Sequence, residues 1–171
     1  MKLDPNRFDD LLRQCKRSAV HLEMRDGYMR SDPAFIDWQA GQRIDPAARW
    51  PAWSAMVTEA TGRGVVVRRA RIVSEPLSDY ICFERDVTEG LNVAAGEEVR
   101  WLPRRQATNL TLPGNDFWLF DEQLLLVNHF DGDGEPTAPE LTEDQNTVEL
   151  CAAAFEAVWA RAVPHAEYQP G

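Results

Sequence analysis

The sequence predicts an α/β protein with a mixed β-sheet flanked by helices. Three observations carry that prediction. RGVVVRRARIVSE (63–75) is a β-branched run of strand length. LPGNDFWLFDEQLLLVNHF (112–130) reads as two short apolar strands, about 117–120 and 124–130, joined through Asp121-Glu122-Gln123. Between and around these runs, apolar residues recur at helical spacing, so strands alternate with helices.

The elements follow in order. Residues 6–17 carry Phe8, Leu11, Leu12 and Cys15 at helical spacing. SAVHLEM (18–24) alternates Ala19, His21 and Glu23 with Val20, Leu22 and Met24, which suits a half-buried strand. Residues 32–40 predict a short helix capped by Asp32, with Pro33 at its first position. Residues 41–50 read as loop, and Trp53, Met56, Val57 and Ala60 mark a further helix. After the 63–75 strand, Ser74 is placed to cap a helix over about 76–87 with Pro76 in its first turn. GEEVRWLPR (96–104) is a second strand, and FDGDGEPTAPE (130–140) a polar loop. Thr142 and Gln145 have capping-box spacing and open a helix to about 162, where Pro164 stops it.

One domain accounts for the 171 residues. With 44% hydrophobic residues, six tryptophans and seven phenylalanines, the chain can bury a core without staples. Its net charge of −10 repels phosphate backbones, so direct nucleic-acid binding is not expected. Cys15, Cys82 and Cys151 are far apart and odd in number, which reads as reduced thiols in a cytoplasmic protein. Residues 1–17 are polar, unlike a signal peptide, and no apolar run approaches the roughly 18 residues of a membrane span.

Catalytic motifs are sparse. The three histidines, His21, His129 and His165, lack metal-ligand spacing, and DGDGE (131–135) lacks the closing glutamate of a calcium loop. No metal or cofactor is expected. No GxSxG elbow, P-loop or GxGxxG occurs. The 63–75 strand is more informative. Arg69 and Arg71 share one face with Val65, Val67 and Val73. Charges there must be paired or must line a polar cavity. Glu75, Asp79, Glu84, Asp116 and Asp121 are the expected partners. Both an ion-pair network and a ligand pocket fit the pattern. The pocket version uses Arg69, Arg71, Glu75, Asp79, Tyr80, Asn115, Asp116 and Trp118. An acid/base site built from His21, Glu23, Tyr80 or Asp116, serving a small-molecule pathway enzyme, is the competing reading.

VHLEMRDGY, RGVVVRRARIVSEPLSDYICFE, GEEVRWLPRR, LPGNDFWLFD and AFEAVWARAVPHAEY together resemble a widespread actinobacterial family of uncharacterised small proteins, over about residues 8–168. Its members tend to be encoded beside helix-turn-helix regulators, which implies a regulatory setting. Residues 52–163 also resemble one half of a phospholipase D-like fold. That resemblance divides the chain into an N-terminal helix–strand–helix extension (1–51), a degenerate core (52–163) and a tail (164–171). The active family's motif is His-x-Lys, four residues, then Asp. Setting Asp121 at the aspartate puts Gly114 at the histidine and Asp116 at the lysine. Glycine offers no nucleophile, and an aspartate repels phosphate. Active members pair two halves, so the resemblance implies a homodimer or a partner protein such as a helix-turn-helix regulator. The function expected is a non-enzymatic regulatory or binding module.

Overall fold

The computed structural model describes residues 8–171. Residues 6 and 7 of the expected first helix lie outside the described residues. The elements run α1 (Phe8–Gln14), β1 (Ser18–Glu23), α2 (Pro33–Gln39), α3 (Pro46–Arg49), α4 (Pro51–Gly62), β2 (Val66–Val73), α5 (Asp79–Leu91), β3 (Glu98–Pro103), β4 (Phe117–Phe120), β5 (Leu124–Val127), β6 (Glu140–Thr142), α6 (Gln145–Arg161) and β7 (Val163–Pro164). The strands of the described residues form one mixed sheet in the order β6-β5-β4-β1-β2-β3-β7. β1, β2 and β3 are parallel, and the flanking strands pair antiparallel.

β1 lies at the centre of the sheet, between β4 and β2. The stretch assigned to an extension therefore supplies the middle strand. The stretch assigned to a tail contributes Pro164 to β7 and the buried Tyr168, which stacks on Trp101.

Strand alternation separates two faces. Val20, Leu22, Ala70, Ile72, Leu102, Phe117, Leu119 and Leu125 pack under α6, which contributes Val148, Cys151, Phe155, Val158 and Trp159. The buried residues of that face are apolar, and the partly exposed Arg68 and Arg100 lie over the rings of Phe155 and Trp159 on α6. The other face carries Ala19, Val67, Trp118, Phe120 and Leu126 against α1 and α4, and Val73, Val99 and Trp101 against Ile81 of α5. Between those two apolar patches the same face carries His21, Glu23, Arg69 and Arg71, all buried. They stand near the carboxyl ends of the parallel strands, where open α/β sheets place ligands.

Two helix starts differ from expectation. α5 begins at Asp79 and is capped by Ser78, whose Oγ accepts from Ile81 N–H at 3.2 Å. Ser74 instead donates to Asp26 Oδ2 at 2.6 Å and accepts from Arg104 Nε at 3.0 Å. α6 is capped by Asp144, which accepts from Thr147 N–H at 2.9 Å. Thr142 accepts from Asp144 N–H at 3.1 Å, one step outside the helix.

The hairpin between β4 and β5 turns through Asp121 (φ 53°) and Glu122 (φ 59°). Left-handed backbone at two consecutive non-glycine residues is what a primed hairpin turn demands. Asp121 also ties the turn to β1: its Oδ1 accepts from Arg17 N–H (2.6 Å) and Ser18 N–H (3.1 Å), and its Oδ2 from Lys16 N–H (2.9 Å). Cys15 Sγ lies 3.3 Å from the same carboxylate, and burial pushes that thiol up to about 11. All three cysteines are free thiols. Among the described residues no helix is long and apolar enough to cross a membrane.

Candidate functional site

Glu23 is the hub of the polar cluster. It is the last residue of β1 and the register partner of Arg71 on β2, so both side chains leave the same face at the same level. Its Oε2 accepts from Arg71 Nε at 2.5 Å, and its Oε1 from Arg69 Nη1 at 2.5 Å. Arg69 Nε donates onward to Glu97 Oε1 at 2.6 Å, and Asn92 Nδ2 donates to Glu97 Oε2 at 2.6 Å. Arg71 Nη1 donates to Thr88 Oγ1 at 2.6 Å, and the Thr88 hydroxyl donates to the Glu84 carbonyl one helical turn back at 2.6 Å. The guanidiniums also lie over aromatic rings, Arg69 at 5.3 Å from the Trp118 centroid and Arg71 at 4.8 Å from Trp101.

The electrostatics follow from burial and pairing. Burial opposes ionisation of Glu23, but Arg71 and Arg69 beside it hold its carboxyl well below the usual range. Glu84 behaves in the opposite way. Burial pushes its carboxyl up to about 7, because Arg71 Nε is 3.6 Å away and already committed to Glu23, and Glu23 itself repels it. Glu84 Oε2 has no hydrogen-bond partner.

His21 extends the cluster towards β4. Its Nδ1–H donates to the Phe117 carbonyl at 2.7 Å, its Nε2 lies 3.1 Å from Glu23 Oε1, and its ring stacks on Trp118 at 4.3 Å. Asp116, just before β4, accepts from Met24 N–H at 2.9 Å through Oδ1 and from the Tyr28 hydroxyl through Oδ2. Burial raises its carboxyl above the usual range.

Beside the hub lies a cavity of about 260 Å³ between the sheet, α5 and the α2–α4 segment. Glu23, Arg69 and Arg71 form its floor. Tyr80, Phe83, Glu84 and Asn92 line one wall, Trp50 and Trp53 another, and Met29 and Asp32 also border it.

Residues 6–170 match a domain of unknown function, DUF6879. The chain belongs to that family. A comparison with curated proteins finds no match. Solved structures do share the architecture of this DUF6879 chain. NucT from Helicobacter pylori superposes with a TM-score of 0.53 at 10% identity, covering 93% of this chain and 89% of that one. Nuc from Salmonella typhimurium, a phospholipase D family member, gives 0.50 at 12% identity over 91% and 86%. TrmBL2, an archaeal chromatin protein with a novel mode of DNA binding, gives 0.48 at 13% identity; there the chain covers 92% of itself and spans about half, 48%, of the other. At these identities the likeness to NucT and Nuc is one of fold, and the DUF6879 chain has a phospholipase D-like fold.

The structure brings together only part of the sequence-predicted pocket. Arg69, Arg71 and Tyr80 border the cavity. Asp116 is buried nearby but turned to Tyr28 and Met24. Trp118 is packed between His21, Phe8 and Phe120 rather than lining the cavity. Glu75, Asp79 and Asn115 do not converge on it: Glu75 accepts from the Tyr168 hydroxyl at 2.7 Å, and Asp79 and Asn115 are exposed. Among the expected partners of the arginines, only Glu84 comes within ion-pair distance. The true partners are Glu23 and Glu97. Of the competing acid/base set, Glu23 and Tyr80 border the cavity, whereas His21 and Asp116 do not.

Sequence reasoning missed Glu97, Thr88 and Asn92. Each is a polar residue with a completely ordinary local context, and all are buried at 3% exposure or less. The one available signal was demand: two guanidiniums on a covered strand require more carboxylates than the nearest positions supply.

Proposed function

We propose that this domain is a non-enzymatic regulatory or binding module that acts with a partner protein such as a helix-turn-helix regulator. One observation carries the proposal. With Asp121 set at the aspartate of the phospholipase D motif, the lysine position is Asp116, sealed by Tyr28 and Met24 N–H, and the histidine position is the exposed Gly114. A nucleophile and a phosphate ligand are thus both replaced, and the replacement carboxylate is built into the fold.

Two further features support it. The arginines that could bind an anion are spent on Glu23 and Glu97. A lined cavity nevertheless remains beside them. The enzyme reading through His21, Glu23, Tyr80 and Asp116 has less support, since Glu23 is engaged through both oxygens and His21 through both ring nitrogens. An actinobacterial, cytoplasmic setting beside a regulator, and a homodimer or hetero-complex as the working form, belong to the same proposal.

Light scattering at tens of micromolar tests the partner. A dimeric mass, or a stable complex with a co-expressed helix-turn-helix regulator, supports the reading. A monomeric mass both alone and in the mixture contradicts it.

A further inference from the structure

The unsatisfied atoms of the cavity beside Glu23 have a consistent chemistry. Asn92 is 3% exposed and lines the cavity. Its Nδ2 must face Glu97, because a carboxylate only accepts, and that leaves Oδ1 as the free end. Asn92 Oδ1 has no hydrogen-bond partner. Glu84 Oε2, on the same wall, has no hydrogen bond either and meets only the longer 3.6 Å ion-pair approach of Arg71 Nε. Buried acceptors left unpaired cost about 1–3 kcal/mol each, so they call for a donor. Trp53 Nε1–H is an unpaired donor bordering the same space, and an oxygen on the occupant would satisfy it.

The charge balance points the same way. Glu23, Asp32, Glu84 and Glu97 face only two guanidiniums, Arg69 and Arg71. The surplus is negative, so an anion entering here would meet carboxylates already in excess, whereas a cation would offset them. The walls suit a cation as well. Trp50, Tyr80 and Phe83 line a space of about 260 Å³, which admits a small metabolite and is too tight for a drug-sized ligand.

We propose that this cavity is a binding site for a small organic ammonium, held by Glu84 Oε2 and Asn92 Oδ1 and bordered by Trp50, Tyr80 and Phe83. An N–H⁺ donor is required, because both waiting atoms are hydrogen-bond acceptors. A hydroxyl on the same molecule is matched by Trp53 Nε1–H. The inference rests on reading the domain as a binding module and names what it binds.

The test is calorimetric titration of the full chain at pH 8 with ethanolamine, putrescine, tetramethylammonium and inorganic phosphate. Ethanolamine or putrescine should bind with a Kd of about 1 mM or tighter, and tetramethylammonium, which has no N–H, about tenfold more weakly. Glu84→Gln should weaken the better amine about tenfold or more, with its folding checked by circular dichroism. Trp50→Leu, at a half-buried position, should weaken it severalfold and serves as a second variant should Glu84→Gln unfold. Tight binding of phosphate in place of the amines would overturn the amine while leaving a binding module. An absence of amine binding by the wild-type chain, or equal amine binding by wild type and both variants, overturns the inference. Neither result touches association with a partner, which light scattering reads separately.

Discussion

Glu23 and Arg71 are register partners in the parallel β1–β2 ladder, and their side chains meet at 2.5 Å on the same buried face of the sheet. The pair converts an otherwise apolar covered face into a polar floor, and the neighbouring residues are arranged to satisfy it. Arg69 Nη1 donates to the other oxygen of Glu23, Arg69 Nε to Glu97, and Arg71 Nη1 to Thr88.

Removing the hub should be severe. Glu23→Ala leaves two guanidiniums short of a carboxylate in a site less than a tenth exposed, and breaking such a pair costs about 3–5 kcal/mol. The half-exposed pair Arg49–Asp37 is the control, and Arg49→Ala should cost less than about 1 kcal/mol. Urea unfolding of both variants checks the contrast.

Glu84 sets a pH dependence. Its folded carboxyl titrates near 7, above the ordinary 4.5, so the folded state favours the protonated form. The unfolded chain releases this proton first as pH rises. Stability from this group is therefore full below pH 4.5 and is lost progressively as pH rises to about 7. Glu23 works the other way, being held low, and its contribution is present above pH 4.5 and disappears as pH falls below it. Glu84→Gln should flatten the melting temperature between about pH 5 and 7.5 while leaving the acid limb intact. A wild-type profile that rises through that window would contradict the assignment.

Much of this was readable from the chain, for a physical reason. Period-two alternation assigned His21, Glu23, Arg69 and Arg71 to single faces of their strands, because side-chain direction in a strand depends only on parity. Partner choice depends on register between strands far apart in sequence. Nothing near Arg69 announces Glu97, and nothing near Arg71 announces Thr88. The start of α5 failed for a different reason. Ser74 and Ser78 both carry cap chemistry, and the choice between them was made by Asp26 and Arg104, which hold Ser74 outside the helix. β6 and β7, three and two residues long, exist only because a neighbouring strand end is there to pair with.

Asp121 should prove structural. Asp121→Ala removes the acceptor for three backbone N–H groups while keeping a left-handed backbone that disfavours alanine. The expected loss is about 2–3 kcal/mol, which for a chain of this size is roughly 4–12 °C in Tm. Asp121→Asn retains one acceptor oxygen and tolerates the left-handed turn, and should lose less than half as much. Thermal melts of the two variants measure the difference.

Asp116 and Tyr28 should be energetically coupled. Their hydroxyl–carboxylate bond is buried, and hydrogen bonds to a charged group contribute about 1.5–3 kcal/mol. A double-mutant cycle of Tyr28→Phe and Asp116→Ala should give a coupling of at least about 1 kcal/mol. Additive effects would mean that Asp116 is held by Met24 N–H alone.

The proposal that this phospholipase D-like fold carries no phosphodiester chemistry rests on Gly114 and Asp116, which fall at the histidine and lysine positions when Asp121 is set at the aspartate of the motif. The most direct measurement is hydrolysis of bis(p-nitrophenyl) phosphate by the purified chain. The predicted result is turnover no faster than buffer, unchanged in His21→Ala and Asp116→Asn. Turnover above buffer that disappears in either variant would contradict the claim.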